Sequence, residues 1–162
     1  MKIGVISDTH ITRAGKTLPE AVHEAFEGVD LILHAGDIMI EEVIIELEAI
    51  APTTVVAGNN DGFELFAKYG KRRIIEVNGF RIGLTHGYGR GRSFMNAYYE
   101  FIDDKLDCIV YGHSHAPHNE IIDNVLYFNP GSPTNRRFQP QCSVGVLHLT
   151  ETEVKGEIIY FD

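Results

Sequence analysis

Lys2-Ile3-Gly4-Val5-Ile6-Ser7-Asp8-Thr9-His10 is the stretch from which the fold can be read. It begins as a nearly continuous apolar run of strand length, the pattern of a strand buried on both faces, and ends in a carboxylate and an imidazole. Asp30-Leu31-Ile32-Leu33-His34 and Thr53-Thr54-Val55-Val56-Ala57 repeat the run at intervals long enough for a helix. Between the first two, Leu18, Ala21, Val22, Ala25 and Phe26 recur at helical spacing, and Thr17 and Pro19 supply a helix start. Ile40, Val43, Ile44, Leu47 and Ile50 give a second helical stripe. The first half therefore reads as strand-helix-strand-helix-strand, a parallel α/β arrangement.

Farther along, residues 73–77 and 80–85 flank Asn78-Gly79, a pair suited to positive φ at both positions and hence to a tight hairpin. The parallel pattern breaks there. Phe94, Ala97, Tyr98, Phe101 and Ile102 form a third helical stripe before a strand at 107–111. Segments 118–122, 125–128, 142–149 and 153–161, separated by turn-forming residues, read as antiparallel strands. The economical architecture is a four-layer αββα sandwich, α/β (α+β) in class, with two mixed β-sheets flanked by helices. One domain is expected across residues 1–162.

The composition narrows the function. Hydrophobic residues make up 44% and charged residues 23% of the 162, which excludes a disordered or collagen-like chain. With no membrane-length apolar run and no secretory leader pattern, the expected compartment is the cytoplasm, with no membrane partner. Cys108 and Cys142 are far apart and form no CxxC, so they read as small buried apolar residues. The chain has 23 acidic and 14 basic residues, a net charge of −9. No stable nucleic-acid complex is expected from such a balance. An anionic substrate remains open, because bound cations can reverse the local sign.

Each strand of the α/β core ends in a polar cluster. Asp8-Thr9-His10 follows the first strand, Gly36-Asp37 the second and Gly58-Asn59-Asn60-Asp61 the third. His86-Gly87 and Gly112-His113-Ser114-His115 follow two later strands. Ligands bind at the carboxyl edge of open α/β sheets, so the five clusters are expected to converge on one site. Turn formation and helix capping account for the Asp, Asn and Gly but not for the histidines. Carboxylate, amide and imidazole without thiolate suit Mn²⁺, Fe²⁺, Co²⁺, Ni²⁺ or Zn²⁺. Seven ligands drawn from these clusters are too many for one catalytic zinc and about right for two ions sharing a carboxylate.

In content and order this series resembles the calcineurin-like metallophosphoesterases. The short length and Asn129-Pro130-Gly131-Ser132 are similar to the small YfcE-type and Vps29-like phosphodiesterase branch. The resemblance implies that Asp8, His10 and His115 bind one divalent transition-metal ion, that Asn59, His86 and His113 bind a second, and that Asp37 bridges both. Manganese is the first expectation, with nickel, iron, cobalt or zinc as alternatives. The implied reaction is hydrolysis of a small phosphodiester by a metal-bridging hydroxide, with Asp37, His86 and Asn60 as the catalytic positions; a homodimer is a further implication. Many relatives have a histidine where this chain has Asn60. An amide can donate a hydrogen bond but cannot transfer a proton at neutral pH. The alternative is therefore a Vps29-like protein-binding scaffold with weak or no catalysis.

Outside that set, Asp61 is expected to orient a neighbouring ligand or cap a helix. His34 reads equally as a partner to the site or a satisfied core histidine, and His118 as a surface residue or a proton donor. His23 and His148 read as helix-face and strand residues. Arg13, Arg90, Arg92, Arg136 and Arg137 lie in loops, where a guanidinium can grip phosphate. Gly87-Tyr88-Gly89-Arg90-Gly91 matches neither the dinucleotide fingerprint nor a Walker A loop.

Overall fold

The structure, a computed structural model, describes residues 1–162. The first sheet is built on β1 (Lys2–Ile6), β2 (Leu31–His34) and β3 (Thr53–Val55), paired in parallel. β4 (Arg72–Val77) and β5 (Phe80–Thr85) form the expected hairpin, with Asn78 and Gly79 at φ of 50° and 83°. They open a second sheet with β6 (Cys108–Val110), β7 (His118–Ile122) and β8 (Val125–Asn129). The chain returns to the first sheet in β9 (Cys142–Leu149) and β10 (Val154–Phe161). Spatial order is β10-β9-β1-β2-β3 in one sheet and β4-β5-β6-β8-β7 in the other. Both sheets are mixed, as expected. β7 with β8 and β9 with β10 are antiparallel, but β8 also runs parallel to β6, a pairing that the local turn pattern does not encode.

Period-two alternation divides the core between layers. Ile3, Val5 and Leu33 on one sheet face Ile82, Leu84, Val110 and Phe128 on the other, forming the inter-sheet core. Ile6 and Ile32 point the opposite way. There they meet Val22 of α1 (Glu20–Ala25), together with Val43, Ile44 and Leu47 of α2 (Glu42–Glu48). On the far side, Ala97 of α4 (Ser93–Glu100) and the adjoining Phe101 cover Ile109, Tyr111 and Tyr127. The observed layers are those of the αββα sandwich. The helices are shorter than their apolar stripes: Leu18 and Phe26 lie beyond the ends of α1 yet remain buried.

One helix was not expected. α3 (Phe63–Tyr69) has no buried residue, and Phe63 is 88% exposed, so there is no apolar stripe to announce it. Leu65 and Tyr69 reach only the margin of the core beneath α2. No helix is long and apolar enough to cross a membrane. Cys108 is fully buried, where desolvation and then the charge of Asp107 push its thiol upward, consistent with an inert packing role. Cys142 is half-buried and free.

Candidate metal centre

Five strand ends deliver the polar clusters to one place. β1, β2 and β3 bring Asp8, His10, Asp37 and the 58–61 turn from the first sheet, and β5 and β6 bring His86, His113 and His115 from the second. The loops are stitched together by main-chain bonds: Asp8 N to Gly36 O at 3.0 Å, His10 N to Asp37 O at 3.1 Å, and Gly112 N to His86 O at 3.1 Å. Asp8, His10, Asp37, His113 and His115 all take positive φ, between 45° and 69°. Such backbone is uncommon for residues other than glycine, and strain of about 1–3 kcal/mol each persists only where surrounding structure enforces it. Two glycines make the close approach feasible. A Cβ on Gly58 would lie 2.2 Å from Asp37 Oδ1, and one on Gly112 would lie 1.8 Å from Ser7 Oγ.

Asp8 is fully buried and divides its oxygens between two tasks. Oδ2 accepts from Ser7 Oγ at 2.8 Å and from the His113 N–H at 2.9 Å. Oδ1 has no hydrogen-bond partner and faces three imidazole nitrogens: His115 Nε2 at 3.3 Å, His10 Nε2 at 3.7 Å and His86 Nε2 at 3.8 Å. His86 Nε2 is likewise buried without a partner, while its Nδ1 donates to Ala35 O at 2.7 Å. His115 is fixed in the same manner, its Nδ1 donating to Asn135 O and its Nε2 meeting His10 Nε2 at 3.2 Å. Tying Nδ1 to a carbonyl leaves the Nε2 lone pair aimed inward, as a metal-binding imidazole requires. Buried donor atoms that face one another without partners are the feature that a cation would satisfy.

Asp37 links the two halves of the site. Its Oδ2 lies 3.4 Å from both His10 Nε2 and His86 Nε2, and it also accepts from Asn60 Nδ2 at 2.8 Å. Oδ1 accepts the Asn60 main-chain N–H at 2.9 Å. Two groupings have the spacing to hold an ion, Asp8 with His10 and His115, and Asp8 with Asp37 and His86. Asp8 thus borders both. His113 stands at the edge, its ring 5.1 Å from that of His86, and Asn59 is exposed with no side-chain hydrogen bond.

The local field is strongly negative. Burial would raise the carboxyl of Asp8, but contacts with His10 and His115 and the charge of His86 hold it well below the usual carboxylate range. Asp37 behaves similarly: burial works against ionisation, while His86 and the two Asn60 donors bring it to about 2. Burial disfavours a charged His86, yet Asp37 and Asp8 win and raise its proton affinity. The same pair of carboxylates would attract a divalent cation.

Supporting residues surround the inward-facing set, and Asp61 and His34, both singled out in the sequence, are among them. Asp61 accepts four main-chain N–H groups, from Asp37, Ile38, Met39 and Gly58, and so binds two ligand loops together rather than joining the inward-facing set. His34 is fully buried, and desolvation brings it down to about 3 despite the nearby aspartates. As a neutral ring it accepts the Gly36 N–H at 3.1 Å and donates to Thr9 Oγ1 at 3.2 Å, and that hydroxyl is 3.3 Å from the Asp37 and Ile38 carbonyls. Ser132 Oγ donates to Asp8 O and Thr134 Oγ1 to Thr9 O, placing the 129–135 turn directly behind the first strand end. His118 contacts Tyr111 OH and Glu120 outside the cluster. His23 and His148 pair with surface carboxylates elsewhere.

Comparison with known proteins gives the family and the fold. The family model for the calcineurin-like phosphoesterase superfamily domain matches residues 1–152. A probable metallophosphoesterase of Methanothermobacter thermautotrophicus is 40% identical, the alignment covering 98% of this chain and 92% of that one. A phosphodiesterase of Methanocaldococcus jannaschii is 30% identical over 81% of this chain and 83% of its own length. Among solved structures, wild-type Vps29 of Entamoeba histolytica, complexed with zinc, superposes with a TM-score of 0.73 at 22% identity, with full coverage of both chains. That likeness is one of fold.

Proposed function

This chain belongs to the calcineurin-like phosphoesterase superfamily and is a metal-dependent phosphoesterase; from that premise we propose that it hydrolyses small phosphodiesters with two divalent transition-metal ions, manganese foremost. The supporting observation is the position of Asp37 Oδ2, 3.4 Å from an imidazole nitrogen on either side. In this reading Asp8, His10 and His115 hold one ion, Asn59, His86 and His113 hold the other, and Asp37 serves both. When bound, paired cations polarise phosphoryl oxygens and acidify water. The protein fixes the donors beforehand: Ser7 and the His113 N–H orient Asp8, carbonyls orient His86 and His115, and Asn60 orients Asp37. The preorganised donors need little rearrangement during reaction.

Chelated protein reconstituted separately with manganese, nickel, iron, cobalt or zinc should cleave bis(p-nitrophenyl) phosphate only after reconstitution, and faster than p-nitrophenyl phosphate. Cleavage that survives chelation, or that is confined to the monoester, would contradict the proposal. Metal uptake without cleavage of any diester would favour the Vps29-like scaffold instead.

Asn60 sets a limit on leaving groups. Its carboxamide grips Asp37 and has no proton to give an alkoxide. Asn60→His should therefore raise turnover most on diesters with basic leaving groups, by about a hundredfold at the low end of general-acid effects. A series of substituted aryl and alkyl diesters measures this, and an equal or lower rate across the series would remove the proton-transfer explanation.

A further inference from the structure

Beside His113, outside the ligand cluster, opens a cleft of about 640 Å³ between the start of α4 and the 134–141 loop. That volume suits a small organic ligand. Its walls include Phe94, Tyr111 and Ile122, with Arg92 and Arg137 contributed from opposite loops. Arg13, Arg90 and Arg136 do not border it.

The charges around the cleft are informative because the chain is so acidic. Neither Arg92 nor Arg137 forms a salt bridge, although acidic residues outnumber basic ones 23 to 14. Arg137 Nη1 reaches only the carbonyl of His113, at 3.4 Å, and otherwise remains available. The carboxylate lining the cleft, Glu120, is engaged by His118 Nε2 at 2.9 Å, and His118 in turn contacts the Tyr111 hydroxyl. The acid is thus tied to one wall while the two guanidiniums stay free. Phe94 stands edge-on to His118 at 5.6 Å and is braced by Tyr127 at 4.8 Å, so its half-buried ring is held in a fixed orientation. A rigid aromatic surface favours a flat ring, and two unpaired guanidiniums favour an anion.

We propose that this cleft binds the organic portion of the substrate and selects a nucleotide that carries a second phosphate. The base lies against Phe94, and Arg92 and Arg137 take the phosphate that is not being cleaved. The assignment rests on the phosphodiesterase reading, since continuity through His113 places the cleft next to the scissile phosphorus in that reading.

Inhibition of bis(p-nitrophenyl) phosphate hydrolysis by the manganese-loaded protein tests it, with inorganic phosphate, adenosine 5′-monophosphate and adenosine 3′,5′-bisphosphate as probes. The bisphosphate should inhibit at about tenfold lower concentration than the monophosphate, a ratio that one recovered charge-assisted contact supplies. In the Arg92→Gln/Arg137→Gln double variant that ratio should fall to near one. In Phe94→Ala the advantage of adenosine 5′-monophosphate over phosphate should shrink severalfold. Equal inhibition by all three probes, or a bisphosphate preference that survives the double variant, would overturn the assignment. Calorimetric titration of the bisphosphate into chelated protein separates the two readings: lack of diester hydrolysis defeats the phosphodiesterase reading, while binding that is equal in wild type and double variant defeats the cleft.

Discussion

Asp37→Asn should lower phosphodiester turnover by at least about a thousandfold, equivalent to about 4 kcal/mol of transition-state stabilisation, and reduce bound metal to one ion or none. The effect follows from geometry as well as charge. Asp37 Oδ2 is 3.4 Å from His10 Nε2 and from His86 Nε2, so a single atom is shared by both sides of the centre. Asparagine removes one of two buried carboxylates there. It also brings a carboxamide against Asn60, whose main-chain N–H and Nδ2 now both donate to the carboxylate. Only one of those donors can keep an oxygen acceptor. Elemental analysis of the purified variant, with its thermal midpoint as a control on folding, checks the result. His86→Ala and His113→Ala should impair the same ion, and Asp8→Ala the other. Wild-type stoichiometry and rate in Asp37→Asn would end the shared-carboxylate assignment.

Legibility in the sequence followed the size of the physical signal. β1 and β2 stand out because burial on both faces demands apolar runs, β3 stands out through Val55-Val56-Ala57 although Thr53 and Thr54 are only half-buried at the sheet edge, and the hairpin stands out because Asn78 and Gly79 must both reach positive φ. α3 left no trace because it packs almost nothing into the core. The pairing of β6 with β8 is equally silent, being decided by which inward-facing residues meet Phe128 and Val110 and not by any turn. At the site, histidines at strand ends drew attention through their chemistry. Ser7, Thr9, Thr134 and Asn135 did not, since each acts through hydrogen bonds to main chain or to a neighbouring side chain, and such bonds leave no periodicity in the sequence. Arg92 and Arg137 were no different from other loop arginines until the fold brought their loops to one cleft.

Asp61 carries the second large effect, although no ligand role is assigned to it. Oδ1 accepts from the N–H groups of Ile38 and Met39, both at 2.8 Å, and Oδ2 accepts from Asp37 at 3.0 Å and Gly58 at 2.7 Å. Met39 itself sits at φ 78° and Asp37 at 57°, so these four bonds hold the strained loop that presents Asp37. Asp61→Ala strands all four donors, at a cost of roughly 1–3 kcal/mol for each one that water cannot reach. The shape-preserving Asp61→Asn is the sharper test. Whichever oxygen the amide nitrogen replaces, its N–H groups confront two main-chain donors, so asparagine can satisfy one pair only. Asp61→Asn should therefore lose about 2 kcal/mol or more of stability by thermal unfolding and bind metal about 10- to 100-fold more weakly, as expected when the support of a ligand is removed. Capping a helix alone would move stability without moving metal affinity. An unchanged metal affinity in Asp61→Asn would leave Asp61 a structural turn residue and detach it from the positioning of Asp37.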